Sequence, residues 1–397
     1  MIHISDNAKE QQLIPVFRLG FRPFFLAGTI FSVISALIWV ALLTGKTTLP
    51  SQIPPSFWHA HEMLFGFTGA IILGFLLTAV QNWTGTPGLK GKKLAILFTI
   101  WLLSRLALFF LPPSLFWITF ILEVSWMPLA TIALAKSVIS AKQWKNLFFV
   151  PLLIIMSTLN AISLLAVHSY QYITSQQAIW SMFFLVLFII AVMGGRVIPF
   201  FTAKGTNTEK PVVILGLEYL CLAPLLLLAI IIWFPSLSAF SVPLTLSCGL
   251  AHLIRLLRWK PLTTLPVPLL WSLHLSYFLL ALGLIFYPLG ILLPGLDSTS
   301  MIHLSAIGGI GGVILAMISR VSLGHTGRPL NPSKWMNIAF IATALSALAR
   351  GFLPYLLPDL PLMAYAISAL FWCSAFVLFI IFYAKMLFSA RLDKRPG

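Results

Sequence analysis

The chain has 397 residues, 59% of them apolar and 9% charged, and its 25 lysines and arginines against 9 aspartates and glutamates give a net charge of +16. So apolar a composition excludes an ordinary soluble globular protein. The apolar residues fall in runs of roughly 18 to 25 residues, each long enough for a helix to cross a hydrocarbon core of about 30 Å. An all-α polytopic membrane protein follows, with a single transmembrane domain over residues 1–397.

Twelve spans are predicted, at 24–44, 60–82, 93–111, 115–136, 147–167, 177–195, 211–233, 237–257, 267–293, 299–320, 335–355 and 361–386. The polar start, Met1–Gln12, and the spanning length of the first apolar run argue against a cleaved signal peptide. Of the 25 basic residues, 22 fall in alternate connections. Lys9, Arg18 and Arg22 precede span 1, and Lys90, Lys92 and Lys93 follow span 2. Lys136, Lys142 and Lys145 surround the end of span 4, and Arg196, Lys204 and Lys210 follow span 6. Arg255, Arg258 and Lys260 end span 8, Arg320, Arg328 and Lys334 follow span 10, and Lys385, Arg391, Lys394 and Arg395 end the chain. Lys46 lies in an outer connection, and Arg105 and Arg350 lie within spans. The positive-inside rule then places both termini in the cytoplasm. Topology and anionic lipid account for the positive charge, and no nucleic acid is required. Cys221, Cys248 and Cys373 lie within spans, far apart and without a CxxC pair, and read as small apolar packers.

Spans 2 and 10 match without gaps at an offset of 242, which relates regions 58–87 and 300–329. His61 aligns with His303, Gly66 with Gly308, Gly69 with Gly311, Ile72-Leu73 with Ile314-Leu315, and Thr84-Gly85-x-Pro87 with Thr326-Gly327-x-Pro329. Span 6 carries a fainter copy, in which Met193, Arg196, Val197 and Thr202 match Met317, Arg320, Val321 and Thr326. Helices 2, 6 and 10 would then mark three units of four helices. The repeat puts His61 and His303 at one depth, on helices rich in small residues that let a neighbouring helix or a flat cofactor approach closely.

The polar residues form two sets. His59, His61, Glu62 and His303 lie at the outer ends of spans 2 and 10. Histidines at matched depth on two helices suit a haem held between them. Copper would prefer imidazoles converging on one point. If residues 59–61 are helical, His59 and His61 diverge by about 200° and cannot easily share a site; if extended, they share a face. The inner set is His252, His274 and His325, the last in "SRVSLGHTGRP" beside Arg328, a loop suited either to an anion such as a haem propionate or to a plain turn. Arg105, Glu123, Glu218 and Arg350 are intramembrane charges that must pair or face a cavity. Arg105 is a candidate partner of propionates, and Glu62 and Glu123 are candidate proton carriers. Ion pairs between helices account for the same charges.

The motifs "FRPFFL" (21–26), "WHAHEMLFGF" (58–67), "GFLLTAVQNWTG" (74–85), "GGRVIPFFT" (194–202), "LLWSLHLSYF" (269–278) and "SRVSLGHTGRP" (319–329) together resemble the NnrS family over nearly the whole chain. That resemblance implies a multi-pass protein of the bacterial inner membrane, containing haem (haem b) and copper, that acts in nitric oxide metabolism, denitrification or defence against nitrosative stress. It carries His59, His61, Glu62, His274, His303 and His325 over as the metal-capable positions, without dividing them between haem and copper. A looser, architectural similarity links the chain to subunit I of haem–copper oxidases, whose helices 2 and 10 hold haem through histidine. Here span 6 lacks the copper-ligand histidine of those oxidases, which puts an oxidase-type binuclear centre in doubt. The leading functional reading is a haem-dependent oxidoreductase acting on nitric oxide or a nitrosylated species with electrons from a separate donor. A membrane transporter, and a haem-based sensor or assembly factor without turnover, are the competing readings.

Overall fold

The computed structural model describes residues 12–293 and 295–393. Lys9, Lys394, Arg395 and the polar stretch before Gln12 lie outside the described residues. The described chain is all helix and turn, without strands. Its principal helices are α1 (Phe21–Leu43), α2 (Pro55–Thr84), α3 (Gly91–Phe110), α4 (Phe116–Ser140), α5 (Phe149–His168), α6 (Tyr172–Thr206), α7 (Leu215–Ile231), α8 (Ser241–Arg258), α9 (Pro268–Leu292), α10 (Ser298–His325), α11 (Trp335–Leu356) and α12 (Pro361–Phe388). Each predicted span finds its helix. Eleven are long and apolar enough to cross a membrane by length and composition, and α7 is an apolar helix of 17 residues. It starts later than the apolar run suggests, because Pro211 and the β-branched Val212 and Val213 stay outside the helix. Helix α6 is much longer than its span and continues through Pro199 to Thr206.

The chain divides into two compact units. The first comprises the chain up to Ile179 with Val321–Pro329 and the stretch from Ile380, and the second comprises Trp180–Arg320 and Leu330–Phe379.

Helices α2 and α10 stand apart from the rest. In each, 78% of the most apolar window is buried, against 28–61% for the other long helices. Both are built in three parts. In α2, α-helix Pro55–His61 passes into π-helix Glu62–Thr68 and then α-helix Gly69–Thr84. In α10, α-helix Ser298–His303 passes into π-helix Leu304–Gly311 and then α-helix Gly312–His325. His61 and His303, the residues paired by the offset of 242, are each the last residue before the wider π turns. The aligned Gly85 and Gly327 then close the two helices at positive φ, +66° and +72°, a conformation that favours glycine. Short π segments are uncommon and collect at functional sites.

In the first unit, α1 and α2 approach so closely that a Cβ on Gly74 would stand 2.8 Å from the Cβ of Phe24. Thr78 on α2 seals this contact by accepting from the Phe21 N–H at 2.8 Å. Arg22, counted above as a topology charge, is fully buried, and its Nη1 donates to the carbonyls of Leu387 (3.0 Å) and Ser389 (2.7 Å) at the end of α12. A cation there satisfies carbonyls that the helix leaves open. In the second unit, the glycines of α10 are filled by protein side chains. Cβ atoms on Gly308, Gly309 and Gly311 would meet Leu279, Leu280 and Trp372 within 2.8 Å. These glycines serve helix packing. The three cysteines are free and buried, as expected of packers.

Candidate functional site

A buried polar cluster of the first unit lies where α2, α3, α4 and α5 supply one side chain or more each. Arg105 on α3 is 3% exposed. Its Nη1 donates to Glu62 Oε1 on α2 at 2.5 Å, and its Nη2 donates to Glu123 Oε2 on α4 and, at 3.0 Å, to Ser104 Oγ. His61 Nδ1 lies 2.9 Å from the same Glu62 Oε1, and its Nε2 lies 2.8 Å from Asn160 Oδ1 on α5. Asn160 in turn donates from Nδ2 to the backbone carbonyl of Glu123 at 3.1 Å. His61, Glu62 and Glu123 are wholly buried. Phe57 and Phe65 pack against the imidazole with ring centroids 5.4 and 4.9 Å away, and Phe31 of α1 lies beside the guanidinium at 5.9 Å. Among the described residues, Glu62 Oε2 and Glu123 Oε1 have no hydrogen-bond partner.

The π turns of α2 shape this cluster. They change which carbonyls the helix can satisfy, and Trp101 Nε1 of α3 donates to the Gly66 carbonyl at 3.1 Å. Gly66 also leaves the room the ion pair needs. A Cβ there would stand 2.6 Å from Arg105 Nη1 and 3.2 Å from Glu62 Oε2.

His61, Glu62 and Glu123 each offer a ligand atom, all within 4.8 Å of one another. One nitrogen and two carboxylate oxygens form a plausible donor set for a divalent ion. Two facts count against such a fit. The Arg105 guanidinium already bonds both carboxylates as their cation. His61 presents both ring nitrogens to oxygen acceptors, so ligation would break one of those bonds. Arg105 joins α2, α3 and α4 as an interhelical ion-pair residue. His59 lies on the helical stretch Pro55–His61 and turns away from His61, and its ring stacks on Trp39 at 4.4 Å.

In the second unit, His303 Nδ1 lies 2.5 Å from the Thr299 carbonyl, and His274 Nδ1 lies 3.0 Å from the Leu270 carbonyl. A carbonyl only accepts, so Nδ1 carries the hydrogen in both, and in the neutral ring Nε2 is the basic nitrogen. His274 Nε2 has the Thr202 hydroxyl at 3.4 Å. Arg350 donates to Ser300 Oγ at 2.7 Å and lies over the Tyr365 ring at 4.4 Å. Glu218 pairs with the buried Arg255, whose Nη1 also donates to the Ala191 carbonyl and to the Tyr277 hydroxyl, both at 3.0 Å. His252 Nδ1 lies 2.6 Å from that hydroxyl.

His325 and Arg328 fall in the first unit. His325 is the last residue of α10, its ring meets Phe21 at 5.6 Å, and its carbonyl accepts from Arg391 Nη1 at 3.1 Å. Arg328 donates to the Thr326 carbonyl at 3.4 Å. The segment is a helix end closed by Gly327 at positive φ.

Asn160 and Tyr277 were not singled out from the sequence. For Asn160 a signal existed, since it is the only amide in its 20-residue apolar helix. Tyr277 carried none beyond its place in a shared motif.

Among the described residues, eleven helices of spanning length and apolarity define a multi-pass membrane protein. The chain belongs to the NnrS family, whose model, described as NnrS protein, matches residues 15–391. No curated protein matches the sequence.

Proposed function

We propose that this chain is a haem-binding redox protein of a bacterial inner membrane that acts on nitric oxide or a nitrosylated species. In this reading His303 is the candidate that would hold the haem iron, His274, in the inner set, is a separate imidazole candidate, and copper is an additional candidate ion. Membership of the NnrS family is consistent with a nitric-oxide-related role. The observation that carries the reading is the anchoring of His303. Its Nδ1–H is held by the carbonyl one turn back, which fixes the ring and makes Nε2 the electron-pair donor. Metal-binding histidines commonly have their other nitrogen held in this way, by a carbonyl or carboxylate. His303 also opens the π segment of α10, where the backbone departs from the regular helix. His274 has the same anchoring on α9. Haem iron, when bound, supplies a position for nitric oxide and a one-electron couple. The Thr299 carbonyl orients the imidazole.

Optical spectroscopy of the protein purified from haem-sufficient cells tests the reading. The wild type is expected to show a Soret band, and His303→Ala is expected to lose most of it. Wild-type protein without haem absorption, or a spectrum unchanged in both His303→Ala and His274→Ala, would sink it.

A further inference from the structure

We infer that His61 is held as an imidazolium, closing a buried proton-binding site with Glu62, Arg105, Glu123 and Asn160 in which two cations balance two carboxylates. Hydrogen-bond directions place the protons. Asn160 Nδ2 must face the Glu123 carbonyl, because only the amide nitrogen can donate there. That fixes Asn160 Oδ1 toward His61, so His61 Nε2 carries a hydrogen. On the other side of the ring, Glu62 Oε1 accepts from the Arg105 guanidinium, and a charge-assisted bond of that kind is strongest to an ionised carboxylate. His61 Nδ1, which faces the same atom, carries a hydrogen too. An imidazole with both nitrogens protonated is a cation and has no lone pair for a metal.

The charge balance points the same way. Arg105 against Glu62 and Glu123 leaves one negative charge over, and all three side chains are at most 2% exposed. An unbalanced charge sealed in a low-dielectric interior is costly, and a single added proton removes it. Among the described residues, the other groups facing the cluster are neutral: Phe31 from α1, Phe57 and Phe65 from α2, Ser104 from α3 and Asn160 from α5. A divalent ion in addition to Arg105 would leave an excess of positive charge instead. The site is also able to pass its proton on. As the Nδ1–H bond of His61 breaks, an O–H bond forms on Glu62, and the total charge of the cluster is unchanged. The receiving oxygen is Glu62 Oε1, which His61 Nδ1 faces at 2.9 Å. None of these residues takes part in the haem proposal, so haem loss on substituting His303 and the protonation of His61 are separate readouts.

Nitrogen-15 NMR of histidine-labelled full-length protein in lipid bilayers at pH 7 tests the inference. The His61 signals are identified by their absence in His61→Gln and, independently, by through-space contacts to the Phe57 and Phe65 rings. Wild-type protein is expected to show hydrogen on both His61 nitrogens. Glu123→Gln removes one negative charge without touching the imidazole and is expected to cost His61 one of its two ring hydrogens; Glu62→Gln is a second route to the same change. One equivalent of zinc is expected to leave the wild-type signals in place. A singly protonated His61 in the wild type would overturn the inference. So would retention of both hydrogens in the two glutamine variants alike, or loss of a ring hydrogen on adding zinc.

Discussion

Replacing Arg105 by methionine keeps most of the side-chain length and removes the guanidinium bonded to both Glu62 and Glu123. The two carboxylates are wholly buried, and neither can reach water in place of its lost partner. Removing one member of a buried ion pair costs about 3–5 kcal/mol, because it strands the other charge. At about 1.4 kcal/mol per factor of ten, this is roughly two to three and a half powers of ten in the unfolding equilibrium. Arg105→Met is therefore expected to unfold far below the wild-type temperature in detergent, followed by a thiol-reactive dye that reports exposure of the buried Cys221, Cys248 and Cys373. Neutralising the carboxylates as well, in Arg105→Met/Glu62→Gln/Glu123→Gln, is expected to recover much of the loss, since a well-packed neutral cluster can match an ion pair in stability. An Arg105→Met protein as stable as the wild type would refute the reasoning. So would a triple variant no better than the single one.

Gly66→Ala pushes a methyl group to 2.6 Å from Arg105 Nη1 and 2.9 Å from Phe31, and overpacking of this kind costs about 1–3 kcal/mol. Gly216→Ala, where nothing lies within 4 Å, is the matched control, expected to unfold at or above the wild-type temperature in the same dye assay. Asp297 caps α10 by accepting from the N–H groups of Thr299 and Ser300, so Asp297→Ala is expected to cost about 1 kcal/mol. Burial pushes the Asp297 carboxyl up, but the hydrogen bonds from Ser300 and Thr299 and the charge of Arg350 outweigh it, and the group titrates below its ordinary value. A depressed carboxylate stabilises the fold above its unfolded pKa and loses that contribution as pH falls through the folded value. Melting temperatures of wild type and Asp297→Ala should therefore differ equally at pH 6 and pH 8 and converge only below about pH 4.

The spans were legible because a bilayer core demands long unbroken apolar runs, and the alternating basic residues marked their connections. The offset of 242 was legible too, down to the glycines that close α2 and α10. The π turns after His61 and His303 were not, because no residue pattern forces an i to i+5 bond. Arg105 and Glu123 were recognisable singly as charges that need partners, and Glu62 as a metal-capable or proton-carrying group beside His61. Their joining through one guanidinium was hidden, since they come from three helices and are 18 and 43 positions from Arg105. His59 and His61 depended on a local choice, helix or extended chain, that the ten-residue motif left open. The helical stretch Pro55–His61 set them apart.

The sequence by itself determined that the chain is a bundle of membrane helices of the NnrS kind, and that the charges within its spans need partners. Only the tertiary structure decided who bonds to whom. Apolar length and charge alternation are properties of one segment at a time, whereas a hydrogen bond between helices depends on how far each is rotated, and Gly66, the π turns and the Asn160 amide fix that rotation for His61.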